Sequence, residues 1–420
     1  MSTLSSTSGG LTRATVRSAN ALTARWASAL GDASASGIET SGTAYSGVGV
    51  WPLLGLLAAG ADERGRAELG AAFGLSPTTA GTDTNTSDTA DVVRGVVDLF
   101  DRASGLSLAM GLWRHADLTI HEDWLSLLPP ATRGILSGDK KQDQAALDAW
   151  VNRHTSGRIT KMPCQLSPSI LLLLASALTV ETQWQHPFAR SSAQGVGTWA
   201  STRLALLSRD TSPTNTWLAR TPGGPVTVTV LEGTDDVDVY LLLGDEQRDA
   251  ASVLADGIAA LETVHKTAVP ATDWDGAAAG DVVAPGATVT TTRNATGEPE
   301  TRLECIAFSL SADHDLLAHA DVFGFEHVSS SGNRFPAISD TPIYLDQARQ
   351  SVVAEFTEQG FKAAAVTTLG MMRMAAVRRP PPREARLTTI SYTRPFGFAA
   401  VHRDSGLVLV AGWVAKPPAV

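Results

Sequence analysis

The sequence predicts an α+β protein. Helical periodicity is concentrated in the first half of the chain, strand-like apolar runs fill the second half, and no repeat of fixed period appears. Apolar residues make up 43% and charged residues 18% of the 420, so a large core can be buried and wholesale disorder is excluded. The 33 basic and 43 acidic residues leave a net charge of −10, which argues against a nucleic-acid surface, since that needs clustered positive charge.

The elements follow in order. Residues 1–13 are rich in Ser, Thr and Gly and read as a mobile tail ahead of a single domain, 14–420. Ala14 to Leu30 has helical spacing, with Trp26 and Leu30 four apart. Val50 to Ala59 is apolar throughout and predicts a buried helix despite Pro52. Asp62 to Phe73 predicts a second helix, with acids early and Gly74 at its end. Thr82 to Asp88 reads as a polar loop and Asp91 to Arg102 as a helix. Leu106 to Trp113 predicts a strand. Asp143 to Thr155 predicts a helix capped by Asp143 and stopped by Ser156 and Gly157.

Ile170 to Val180 is the longest apolar run. Its 11 residues cannot span a bilayer, which takes about 20 in a helix, so it reads as a buried strand. Val226 to Leu231 and Val237 to Leu243 predict paired strands, and Asp249 to Leu261 a helix. Residues 268–300 read as a long loop or weakly patterned strands. Ser311 to Phe323 reads as helical. Ser351 to Thr357, Leu387 to Thr393, Phe396 to His402 and Leu407 to Val414 predict strands.

The N-terminus lacks a basic start followed by an apolar stretch, so no secretory signal is present as written. The expectation is a soluble, cytoplasmic monomer without a membrane partner, with leaderless export as the alternative. Cys164 and Cys305 are 141 positions apart and form neither a disulfide framework nor a zinc pattern.

The usual catalytic patterns are missing. There is no HExxH, no phosphate-cradling glycine loop and no GxSxG elbow. His314, His319 and His327 lack a shared helical face and read as surface histidines. Ser137 to Lys140 fits SxxK, the serine–lysine pair of penicillin-recognising hydrolases. That chemistry also needs K[ST]G, and Lys266-Thr267-Ala268 lacks the glycine. The match reads as coincidence, and neither an enzyme nor a cofactor is expected.

The informative stretch is Glu358 to Arg386 (EQGFKAAAVTTLGMMRMAAVRRPPPREAR). It opens on a glycine and small residues, then becomes Met-, Arg- and Pro-rich with few core anchors. Such a segment reads as exposed, extended and open to proteolysis.

With this loop in view, the chain resembles the serpin family from about Ala14 to Pro417. Gly60-Ala61 fits an early motif of that family. Trp150-Val151, Thr155, Gly157 and Ile159 fit its "N-W-V…T-G-x-I" motif. Trp184, Pro187 and Phe188 fit the strand that ends in tryptophan and then Pro-Phe. Phe323-Gly324 fits the motif before the variable loop. Glu358, Gly360, Ala363, Ala364 and Ala365 fit the reactive-loop hinge. Arg394-Pro395-Phe396 and Gly412 to Pro417 fit the closing strands.

The resemblance implies one domain of three β-sheets and eight or nine helices, with an exposed reactive-centre loop at about 358–386. It implies a protease inhibitor whose partner is a serine protease, with a cysteine protease as alternative. The protease cuts the loop, and the loop then inserts into the main sheet and traps the acyl-enzyme. Alternation along the inserting strand places Phe361, Ala363, Ala365 and Thr367 inward and Lys362 toward water. Gly360 would give the backbone freedom to fold back.

Phe361 departs from the small residue usual in inhibitory members. Overpacking costs about 1–3 kcal/mol, and a penalty on the insertion barrier would turn an inhibitor into a substrate. The alternative is therefore a non-inhibitory binding or structural serpin.

The sheet-opening region departs as well. Ser46, Gly49, Ser176 and Gln350 stand where the family has two serines, an asparagine and a histidine, beside Trp184. Sixteen residues beyond Glu358 the family spacing reaches Met374, implying cleavage at Met374–Ala375, with Arg373 and Arg378 as alternatives. Counting back from Pro395-Phe396 lands near Glu384, so the loop is about ten residues longer than usual, and the hinge count is preferred because the sheet sets the insertion length.

Overall fold

A computed structural model describes residues 11–32, 38–74, 86–128, 133–157, 159–162, 164, 166, 170–274, 276–362 and 382–418. Nineteen strands among the described residues form three sheets.

The helices of the first half form where apolar residues recur. The first, α1 (Arg13–Asp32), buries Leu22, Trp26 and Ala27. The next, α2 (Gly47–Gly60), is buried on nearly every side and runs beneath the site. Pro52 is its sixth residue and has no N–H to give to the Val48 carbonyl, so burial of the helix rather than local propensity carries it there. Asp62 caps α3 (Glu63–Phe73), its carboxylate accepting from Gly65 N, and Gly74 closes it at φ 92°. Helix α4 (Thr86–Arg102) starts earlier than its apolar pattern suggests, so Thr86 to Asp88 belong to a helix rather than a loop.

Asp143 does not cap α5 (Lys140–His154). That role falls to Asp139, which accepts from Lys141 N and Gln142 N. Asp143 accepts instead from Ser137 N, Ser137 Oγ and Gly138 N at 2.8–2.9 Å. Burial alone would raise its pKa, but these three donors hold it below the usual carboxylate range. The SxxK serine thus gives its hydroxyl to a carboxylate. Helix α6 (Ala250–Leu261) falls where its pattern placed a helix, and Asp249 caps it by accepting from Ser252 N.

The seven-stranded sheet has the order Thr43–Tyr45, Leu407–Val414, Phe396–His402, Val237–Gly244, Gly224–Leu231, Thr216–Thr221, Val269–Pro270. Phe396–His402 and Leu407–Val414 are buried at every position, which explains their continuous apolar runs. A six-stranded sheet has the order Val282–Ala284, Ala287–Asn294, Arg383–Ser391, Glu300–Ile306, Arg203–Asp210, Ala189–Gln194. Within 268–300, the strand Ala287–Asn294 forms because Ala287 and Val289 alternate inward.

The third sheet holds the site. Its strands are β1 (Leu106–His115), β2 (Arg133–Leu136), β3 (Leu172–Gln183), β4 (Phe308–Asp315), β5 (Arg349–Phe356) and β6 (Gly360–Lys362), in the spatial order β4-β5-β6-β3-β1-β2. Strand β4 corrects the helix expected from Ser311. Only Leu316–His319 and Ala320–Phe323 are helical there, as short turns. The apolar residues Phe308, Leu310 and Ala312 alternate, and eight-residue pairing with β5 settles the conformation.

Candidate functional site: the hinge and the sheet it enters

Gly360–Lys362 forms a short strand between two longer ones. Phe361 lies opposite Phe356 of β5 and Thr182 of β3, and Lys362 opposite Glu355 and Glu181. Gly360 is required by proximity rather than by an unusual φ: a Cβ there would lie 2.3 Å from the Thr182 carbonyl oxygen. The turn into β6 is closed by Thr357, whose N–H donates to Gly360 O at 2.9 Å.

The end of β3 fixes this turn from the other side. Trp184 N donates to Gln359 O, Phe188 N to Glu358 O and Trp184 Nε1 to Thr357 O, each at 2.9 Å. Glu358 pairs with Arg190 at 2.6 Å. Arg190 is 70% exposed, so this ion pair adds little beyond orientation.

Phe361 is fully buried, and its ring lies 5.8 Å from that of Phe398. Phe398 packs on Phe308 at 5.0 Å, Phe308 on Phe356 at 5.2 Å, and Phe356 on Trp184 at 4.9 Å. The fold therefore already accommodates Phe361 with the hinge in this position. Six of the chain's 11 phenylalanines (188, 308, 356, 361, 396 and 398) gather here. These rings come from positions 188 to 398, so no local sequence pattern marks Phe308, Phe356 and Phe398 as neighbours of the hinge.

Below the hinge, each of three strands reaches the backbone of the segment 44–49, which leads from strand Thr43–Tyr45 into α2. His314 of β4 contacts Ala44 O through Nε2 at 2.9 Å. Gln350 of β5 accepts from Ser46 N and donates to Ser46 O, both at 2.9 Å. Ser176 of β3 donates to Gly49 O. Ser46 Oγ donates to Leu409 O at 2.6 Å and accepts from Gly49 N as the helix cap.

A Cβ on Gly49 would lie 3.2 Å from both Gln350 Nε2 and Ser46 Oγ, so the missing side chain makes room for the long amide. Gln350→Leu keeps the bulk but leaves Ser46 N and O without partners. At about 1–3 kcal/mol for each of the two buried unpaired groups, urea unfolding should show a loss of roughly 2–6 kcal/mol.

The structure thus brings together Ser46, Gly49, Ser176 and Gln350, and separately Trp184, Glu358, Gly360 and Phe361. Ala363, Ala364, Ala365, Arg373, Met374, Ala375 and Arg378 lie outside the described residues.

His314 is a correction, since it is half-buried rather than a surface residue. Its ring lies 5.1 Å from Trp26 and 6.4 Å from Tyr45. Loss of solvation holds its pKa below the ordinary histidine value. The unfolded chain takes up a proton there below about pH 6.5, while the folded chain resists it. Stability should therefore fall as pH drops below that value, and His314→Gln, which can still donate to Ala44 O, should flatten the fall in a chemical-denaturation series from pH 7.5 to 5. His327 is also engaged, with Nε2 2.8 Å from Asp62.

Known proteins can now be set beside this geometry. The family model for serpins, the serine protease inhibitors, matches residues 19–196 and 287–417. The chain belongs to the serpin family. The mouse protein Serpin B11 is 20% identical over 347 residues, covering 77% of this serpin and 78% of its own length.

Among solved structures, the cleaved form of Serpin 42Da aligns with a TM-score of 0.69 at 13% identity, covering 97% of this chain and 98% of that one. Thyroxine-binding globulin in complex with thyroxine aligns at 0.68 and 16% identity, covering 97% and 99%. Native tengpin, a thermophilic serpin, aligns at 0.67 and 15%, covering 96% and 93%. At these identities the structures establish the fold. Among the described residues no helix is long and apolar enough to cross a membrane.

Proposed function

We propose that this serpin inhibits a serine protease by offering the segment after its hinge for cleavage and then extending β6 between β3 and β5. The supporting observation is the hinge strand itself. Gly360–Lys362 is paired on both sides, with Phe361 packed inside, so the first inward side chain already occupies its place. The overpacking that Phe361 threatened then adds nothing to the barrier of later insertion, and the residues due to follow it inward are small.

Cleavage at Met374–Ala375 would present an unbranched apolar side chain suited to chymotrypsin- or elastase-like pockets, while Arg373 and Arg378 would suit trypsin-like ones. This reading treats the serpin as a monomer acting on one protease at a time. Incubation with chymotrypsin, elastase, subtilisin and trypsin is expected to give an SDS-stable covalent complex with at least one of them. Loop cleavage by all four without any complex would overturn the reading.

The thyroxine complex among the structural neighbours favours a second reading, a serpin-fold binding protein that is cut without insertion. It predicts loop nicking by these proteases with full protease activity remaining.

A further inference from the structure

A cavity of about 240 Å³ opens in the third sheet, between β3 and β5 and below the hinge strand. Leu173 and Leu174 both line it, although successive residues of a strand point to opposite faces. The cavity therefore lies at the strand's edge and passes through the sheet. One side is walled by Leu53 and Leu57 of α2, the other by Val151 of α5 with Met162 and Cys164. Among the described residues, β3 pairs with β6 only at positions 181–183, and β5 only at 355 and 356.

The polar side chains around the cavity do not select an ion. Ser176 and Gln350 are engaged by Gly49 and Ser46, and Ser351 by Asp313. Arg349 pairs with Asp315 at 3.2 Å. Arg349 and Asp346 stand exposed at the mouth with opposite charges. Gln347 is also engaged and Tyr344 is largely exposed, so what remains is apolar wall and uncharged strand backbone. Size narrows the class further. An apolar cavity of about 150 Å³ holds benzene, so this one takes a molecule of about ten carbons.

We propose that the gap between β3 and β5 is a binding site for a neutral, largely apolar molecule of about ten carbons, such as an aromatic or terpenoid alcohol, and that such a ligand occupies the path along which β6 would extend. The second half of this statement rests on the insertion reading above. A bound ligand and an inserted strand exclude one another, so the ligand favours the form in which the loop is not inserted.

The test uses the full chain with 2-naphthol, which is fluorescent and neutral at pH 7, and 2-naphthalenesulfonate as its charged counterpart. The uncleaved chain should bind 2-naphthol at least about tenfold more tightly than the sulfonate. Leu53→Trp and Val151→Phe fill the cavity from opposite sides of the sheet. Whichever melts cooperatively should lose binding by a similar factor.

Cys164 lines the cavity, and burial pushes its thiol up to about 11. Its slow reaction with a thiol reagent at pH 8.5 should slow further with 2-naphthol present. Absence of binding, equal binding of the sulfonate, or full binding by a folded filled variant would each overturn the site.

Loop cleavage separates the two halves of the proposal. A raised melting temperature with lost 2-naphthol binding supports both. A raised melting temperature with binding retained overturns the competition between ligand and strand. An unchanged melting temperature overturns insertion alone, and the variant series still decides the site.

Discussion

Cleaving this serpin within residues 363–381 should raise its melting temperature by about 10 °C. The gap below the hinge has strand edges on both sides, and a loop freed at one end can extend β6 into it. Some ten additional ladder hydrogen bonds at about 1 kcal/mol each would contribute about 10 kcal/mol. In a domain of this size each kcal/mol is worth about 1 °C. Differential scanning calorimetry before and after limited proteolysis, with electrophoresis to confirm the nick, reads the effect directly. An unchanged melting temperature would mean that the loop is cut but stays outside the sheet, and the substrate-like reading would lead.

The second large effect concerns Phe361. From sequence alone its bulk is an obstacle, and Phe361→Thr should improve insertion. The packed geometry reverses the expectation for the uncleaved form. Phe361 is fully buried against Phe398, so truncation leaves a cavity at the top of the sheet. Phe361→Ala should lose about 3–5 kcal/mol in urea unfolding. It should also loosen Gly360–Lys362 from its neighbours and speed cleavage after the hinge. A loss under 1 kcal/mol would show that the hinge strand contributes little to the uncleaved fold.

What could be read from the sequence divides along physical lines. Phe396–His402 and Leu407–Val414 were legible to the residue, because both faces of each strand are covered and no position but His402 is polar. Helices with strong caps were legible too, as Asp249 and Gly74 show. Strand β4 was not, because its alternation runs straight into Leu316 and Leu317 and imitates a helical face. Only its pairing with β5 decides against that face. Arg203–Asp210, Thr216–Thr221 and Glu300–Ile306 went unrecognised because they are mixed in polarity, and only Glu300–Ile306 depends wholly on distant partners.

At the site, Gly360 and Trp184 stood out locally. Their setting did not. The ring cluster draws on positions from 188 to 398, and His314 meets Ala44 across 270 residues. Contacts so remote in sequence leave no local pattern to read.

Gly49 and Gln350 are mechanically coupled. A β-carbon at 49 would lie 3.2 Å from Gln350 Nε2. Serine at 49 alone therefore presses against the amide of Gln350. Shortening Gln350 alone takes away the reach that bridges both Ser46 backbone groups. Substitutions at the two positions should not add, and a double-mutant cycle would read their coupling directly.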